Sequence, residues 1–287
     1  MTEVRVVTDS SARFLQPQFA SHRLITLAPA TVRWHSKTLV DHPQLGLEGA
    51  RTLFGVPSDP PTAEPPSARD FEEIYARLQH ETDRILSIHT SSALDGSYEN
   101  ARRASDHFRG RCDIQVIDSH STCAGLGMLA AAAATAAEQG AEMDDLVRLV
   151  LGMISRLYMV IFLDELHYLE RDRLINRSQS ILGDMLGIIP FLTMENGRLI
   201  PMEKVRSRPR ALEKLVEFVA EFSQIEQLAI LQSGPGPGEE ARVVAERLLA
   251  LYPHAPITHL EYGPSLATHV GVHALGVVVM ESSEEAL

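Results

Sequence analysis

Short apolar runs, each ending in hydroxyl or carboxyl side chains, alternate with stretches of helical periodicity through the first half of the chain. Val4–Val7 is a β-branched run that gives way to Thr8-Asp9-Ser10-Ser11, the pattern of a strand emptying into a polar loop. Arg84–Thr90 ends in Thr90-Ser91-Ser92, and Gln115–Ile117 ends in Asp118-Ser119. Phe71, Ile74, Tyr75 and Leu78 recur at helical spacing, with Ser67 and Asp70 placed as an N-cap and its reciprocal partner. Further helices are predicted over 97–108 and over an alanine-rich stretch that stops near Gly140. Five prolines between Pro57 and Ser67 predict an irregular, extended segment. Strand–helix–strand–helix order implies a mostly parallel sheet covered by helices. In such sheets ligands lie beyond the carboxyl ends of the strands.

The second half reads differently. A helix over 143–158 leads into an apolar strand, Met159–Leu163. Gly187–Met194 and Arg198–Val205 flank Glu195-Asn196-Gly197, and Asn-Gly is a hairpin signal. Pro209 stands at a helix start, and Leu212, Leu215, Val216, Val219 and Phe222 form one apolar face. Strands at Leu228–Gln232, Ile257–Tyr262 and Leu275–Met280, with a helix after the first, complete it. The reading is an α/β protein of two domains. Residues 1–155 form an N-terminal α/β domain with a mostly parallel sheet, and 156–287 a C-terminal one with a mixed sheet.

Composition narrows the function. The chain has 287 residues, 45% hydrophobic and 22% charged, an ordinary globular balance. A net charge of −12 opposes the phosphate contacts of a nucleic-acid binder, and Arg206, Arg208 and Arg210 read as solvated surface. The start MTEVRVVTDS lacks the basic and apolar regions of a signal peptide, and Ala124–Ala137 is too short to span a bilayer. Cys112 and Cys123 form no metal pattern or disulfide framework, which suits a reducing cytoplasm.

Several motifs suggest chemistry and fall short of it. Gly234-Pro235-Gly236-Pro237-Gly238 resembles a phosphate cradle, but proline has no N–H to donate, so a strand-to-helix turn is expected. His269 and His273 stand four apart, a metal-ligand spacing on a helix, yet Val270-Gly271-Val272 between them is poor helix material. Ser91 and Ser92 follow a strand and qualify as nucleophiles of an independent hydrolase only beside a histidine that the sequence does not place. Taken singly, hydroxyls at strand ends are capping residues. Taken jointly, Thr8-Asp9-Ser10-Ser11, Thr62, Ser91-Ser92 and Ser119 gather uncharged donors suited to holding an acid and releasing it.

The order of these motifs resembles the DegV family, the fatty-acid-binding proteins that serve bacterial fatty acid kinase. Thr8-Asp9-Ser10-Ser11 is similar to that family's Thr-Asp-Ser-[Ser/Thr]. Thr62-Ala63-Glu64-Pro65-Pro66 is similar to Thr-Ser-Gln-Pro-[Ser/Pro], and Ser91-Ser92-Ala93-Leu94-Asp95-Gly96-Ser97-Tyr98 to Ser-Ser-x-Leu-Ser-Gly-Thr-Tyr. Asp118-Ser119, Glu203-Lys204-Val205-Arg206 and Thr268-His269-Val270-Gly271 followed by Ala274-Leu275-Gly276 complete a match along the whole chain.

The resemblance implies two α/β domains with one long-chain fatty acid, such as palmitate, buried between them and no other cofactor or metal. It implies that Thr62 and position 95 meet the carboxyl group. Arg206 and His269 would serve a step in which a partner kinase subunit converts the bound acid into an acyl phosphate. The protein itself would then turn nothing over. Position 95 departs from the pattern: Asp95 replaces serine, and two carboxylates in one poorly solvated site repel. Either a proton is shared there, or Asp95 turns away and Ser92 or Ser97 substitutes, or the head group differs. Asp172-Arg173 also replaces Gly-Gly-Arg, one residue shorter, and Ile189-Pro190-Phe191-Leu192 loses the lysine of Lys-Pro-Ile-Leu.

Overall fold

The computed structural model describes residues 3–48, 54 and 60–283. They form two units. The first takes the described residues up to Gln44, Ala63–Ser155 and Asn196–Arg198; the second takes those between Leu45 and Thr62, Arg156–Glu195 and those from Leu199 on.

In chain order the first unit runs β1 (Arg5–Asp9), β2 (Ile25–Ala28), β3 (Thr31–Trp34), β4 (Lys37–Val40), β5 (Thr62–Glu64, whose first residue is counted with the second unit), α1 (Ala68–Leu78), β6 (Arg84–His89), α2 (Ser97–Ser105), β7 (Asp113–Asp118), α3 (Cys123–Glu138) and α4 (Met143–Ile154). Four of these strands make a parallel sheet in the order β2-β1-β6-β7, as the alternating pattern predicts. A small sheet, β4-β3-β5, includes Thr62–Glu64, so part of the proline-rich segment is a strand. An unpaired reading of the prolines missed it because Thr62, Ala63 and Glu64 are the stretch between them that retains every backbone N–H. Residues 57–59 of that segment lie outside the described residues.

The capping box on α1 forms as predicted: Asp70 N–H donates to Ser67 Oγ at 3.2 Å and Ser67 N–H to Asp70 Oδ2 at 2.8 Å. Its buried face of Phe71, Ile74, Tyr75 and Leu78 packs with Val7, Ile85, Ala101, Ala104 and Phe108. The alanine-rich α3 packs on β1, β6 and α4. Its small side chains permit close approach: a Cβ on Gly127 would stand 2.0 Å from the Arg13 carbonyl oxygen.

The second unit runs β8 (Leu157–Phe162), α5 (His167–Arg171), α6 (Arg177–Met185), β9 (Ile189–Glu195), β10 (Arg198–Val205), α7 (Arg208–Val219), β11 (Ile225–Gln232), α8 (Glu239–Leu251), β12 (Ile257–Glu261), α9 (Pro264–Val270) and β13 (Leu275–Glu281). Its sheet has the order β10-β9-β8-β13-β11-β12 and is mixed, with β11 and β12 parallel and β8, β9, β11 and β13 joined in antiparallel pairs. Asn196 (φ 48°) and Gly197 (φ 77°) both adopt positive φ, the conformation a two-residue hairpin requires. The helix predicted over 143–158 ends at Ile154, because Leu157 and Tyr158 pair with Met280 and Val279 as strand residues. Over so few residues an apolar strand is indistinguishable from the continuation of an amphipathic helix.

Candidate functional site

At the carboxyl rim of the parallel sheet, adjacent strands place their polar ends side by side. Asp9 Oδ2 accepts the Thr90 N–H at 2.6 Å, and its Oδ1 bonds His89 Nδ1 at 2.7 Å. The chain continues through His89 Nε2 to Ser87 Oγ at 2.6 Å and from there to Tyr75 Oη at 2.7 Å. Acid, imidazole and hydroxyl stand in the order of a serine hydrolase triad. Asp9, Ser87 and His89 are each 0% exposed, and Phe71 lies edge-on against His89 at 4.7 Å. The network tethers β1 to β6. Burial pushes the Tyr75 phenol above its ordinary value, which keeps it a neutral partner in that network.

Of the predicted rim hydroxyls, Ser10, Ser92 and Ser119 stand at these strand ends, with most of their hydrogen bonds assigned, whereas Thr62 lies in the separate β4-β3-β5 sheet. Ser10 Oγ accepts the Ala30 N–H at 2.9 Å. Ser119 Oγ accepts from Ser121 N–H and donates to the Ser121 carbonyl, both at 3.1 Å. Ser92 is exposed, and its N–H donates to Asp118 Oδ2 at 3.2 Å. Among the described residues no histidine hydrogen-bonds the Ser92 hydroxyl.

The loop before α2 decides how Asp95 is used. Asp95 Oδ1 accepts the Ser97 N–H at 2.8 Å, a side-chain turn that starts the helix. Ser97 is fully buried, and its Oγ has no hydrogen-bond partner among the described residues; Thr8 Oγ1 shares that condition. The segment following Thr62 lies against this loop. Pro65 Cγ is 3.6 Å from where a Gly96 Cβ would stand, and the Pro66 carbonyl accepts from Asn100 at 2.9 Å. Thr62 itself is exposed at the start of β5.

In the second unit, Arg171 at the end of α5 joins residues far apart in sequence. Its guanidinium donates to the Pro61 carbonyl at 3.0 Å, one residue before Thr62, and to the Thr268 carbonyl, one residue before His269. It also grips Asp172 Oδ1 through Nε at 3.0 Å and Nη2 at 2.9 Å. Asp172 Oδ2 faces His269 Nδ1 at 2.8 Å. Burial pushes the Asp172 carboxyl up, but the hydrogen bond from His269, the charge its ring carries when protonated, and the Arg171 guanidinium outweigh it and hold the group below its ordinary range. Pro61 and Thr268, the chain neighbours of Thr62 and His269, are thereby tied to one guanidinium. Arg171 and Asp172 were not among the sequence candidates for the head group. Asp172 stood out only as a departure from the motif, and nothing in the sequence places Arg171 beside positions 61 and 268.

His269 and His273 do not share a helix face: α9 ends at Val270, and Gly271 takes a φ of 78°. No group of three or more His, Cys, Asp or Glu residues among the described residues is arranged to hold a metal. Arg206 is exposed and has no ion pair among the described residues. Arg208 and Arg210 have carboxylate partners: Arg208 pairs with Glu240 at 2.6 Å and with Asp164, and Arg210 with Glu213 and Glu217, each at 2.8 Å. The Gly234–Gly238 loop is a strand-to-helix turn clamped by Gln232, whose Oε1 accepts the Gly238 N–H at 3.0 Å and whose Nε2 donates to the Gly234 carbonyl at 2.9 Å. No helix among the described residues is long and apolar enough to cross a membrane.

A parallel α/β unit with a hydroxyl-lined rim and a mixed α/β unit carrying an Arg–Asp–His cluster define an α/β protein of two units. The chain belongs to the DegV family: the family model described as "Uncharacterised protein, DegV family" matches residues 3–282. Protein DegV of Bacillus subtilis is 26% identical over 278 residues, which cover 96% of this chain and 98% of that protein. The crystal structure of DegV, a fatty acid binding protein from Bacillus subtilis, superposes with a TM-score of 0.83 at 26% identity, covering 98% of this chain and 100% of that one. The Streptococcus pneumoniae fatty acid kinase (Fak) B3 protein loaded with linoleic acid gives a TM-score of 0.83 at 18% identity, with 98% and 100% coverage, a likeness of fold.

Proposed function

We propose that this chain binds one long-chain fatty acid and presents its carboxyl group to a partner kinase, which forms the acyl phosphate. The observation that carries the reading is the whole-chain match to a DegV protein whose structure is that of a fatty acid binding protein. The likeness to the fatty acid kinase B3 protein supports the kinase partnership. The Arg171 cluster supports the head-group assignment, since it ties the residues that precede Thr62 and His269 to one guanidinium.

In this reading Thr62 and His269 hold the carboxyl group. Asp95 is occupied in starting α2, and the buried Ser97 hydroxyl takes the donor role of the family's serine at position 95. Arg206, exposed after β10, serves the partner's chemistry. Ser10 and Ser119 shape the rim, and Ser92 stands at its exposed edge. Each methylene removed from water contributes about 0.8 kcal/mol, so a chain of about sixteen carbons gives roughly 10 kcal/mol before ordering costs. The tail sets affinity and the head group sets orientation. The protein is a cytoplasmic carrier of two domains that meet in the chain near residue 155.

Solvent extraction of purified protein followed by mass spectrometry tests this. One fatty acid per chain is expected, with turnover of neither ester substrates nor ATP by the protein alone. A lipid-free extract from protein that also fails to take up added fatty acid overturns it.

A further inference from the structure

Asp172 directly follows Arg171, at the C-terminal end of α5. Its carboxylate is not a loose surface charge. One oxygen is held side-on by the Arg171 guanidinium and the other faces His269 Nδ1 at 2.8 Å. Arg171 is in turn committed to two backbone carbonyls. The Arg171 guanidinium therefore acts as a frame, and Asp172 is the group it aims.

We infer that Asp172 is a positioning residue that fixes the tautomer of His269, so that Nε2 is the atom offered to the head group of a bound acid. An ionised carboxylate only accepts hydrogen bonds, so the hydrogen between the two groups resides on Nδ1. Nε2 makes no hydrogen bond among the described residues. In the neutral ring Nε2 is then an acceptor, and a carboxylic acid donates its O–H to it. Transfer of that proton gives a carboxylate facing an Nε2–H donor. One proton is shared between ring and ligand in both descriptions, and no other reactant is needed. Without Asp172 the neutral ring is free to carry its hydrogen on Nε2, where it offers a protonated acid no acceptor.

The inference rests on the fatty-acid reading for the identity of the ligand, but not for the state of the ring. Long-range proton–nitrogen NMR of His269 in the full chain reads the tautomer directly. The neutral wild-type ring is expected in its Nδ1–H form. Asp172→Asn, whose amide can donate to Nδ1, is expected to move it toward Nε2–H, and Asp172→Glu to restore Nδ1–H. Release of preloaded palmitate to albumin should be about tenfold faster from Asp172→Asn, as for loss of an orienting partner, and near wild type from Asp172→Glu. An unchanged tautomer in Asp172→Asn overturns the inference, and so does an altered tautomer with unaltered release. If wild-type protein binds no palmitate, the fatty-acid reading fails, and the NMR arm still decides whether Asp172 orders His269. Should Asp172→Asn fail to fold, Asp172→Ala judged by the same spectra takes its place.

Discussion

Replacing Asp9 by alanine tests whether the buried polar chain holds the rim of the parallel sheet. The Asp9 carboxylate satisfies the Thr90 N–H at 2.6 Å and His89 Nδ1 at 2.7 Å, and all three residues are buried. Asp9→Ala leaves two buried donors without partners. Each costs about 1–3 kcal/mol, so a loss of about 4 kcal/mol is expected, well above the roughly 1 kcal/mol of an average substitution. The sole tryptophan, Trp34, lies in β3 of the first unit, so its fluorescence in a urea titration reports the unit being perturbed. His89→Leu in the same background separates the pair term: a coupling of about 1–3 kcal/mol is expected between the two positions. Asp9→Asn, which keeps one acceptor for the Thr90 N–H, should fall between wild type and alanine. A cost below about 1 kcal/mol for Asp9→Ala, with additive double-mutant energies, refutes the argument.

Three further outcomes follow from single features. Gly127→Ala drives a methyl to 2.0 Å from the Arg13 carbonyl and should cost about 1–3 kcal/mol or more, whereas Gly152→Ala, with nothing within 4 Å, should gain up to about 1 kcal/mol; urea midpoints separate them. Burial lowers the His167 pKa below 6.5, so the folded state resists a proton that the unfolded chain accepts; stability is full above pH 6.5 and falls as pH drops through the lowered value, and His167→Gln should flatten that limb in pH-dependent melting. Arg171→Lys replaces a planar fork with one ammonium that cannot span Pro61, Thr268 and Asp172, so palmitate release should accelerate while far-UV circular dichroism is unchanged.

The elements with strong local signatures were legible in the sequence. The box at Ser67–Asp70, the Asn196-Gly197 turn and the polar endings of β1, β6 and β7 each depend on residues within a few positions of one another. The small strands β2 to β5 were not, because three or four residues carry too little periodicity and their pairing is with distant partners. Among the candidate residues, the chain alone could point to Thr62, Asp95 and His269 by motif. It could not say that Asp95 would start a helix, that the Ser119 proton would go to Ser121, or that a triad-like Asp9–His89–Ser87 chain would lie sealed in the core.

What the sequence determined by itself is the α/β class, the parallel sheet of the first half, the hairpin of the second, and the family. These follow from side-chain periodicity, turn chemistry and ordered motifs, all short-range properties. The tertiary structure decided which polar groups face one another. Arg171 and Thr268 are 97 positions apart, and Asp172 and His269 equally so, yet each pair meets through hydrogen bonds. Such contacts are set by how strands and helices pack, and a guanidinium with five donors in a fixed plane can join three segments only after the fold has delivered them.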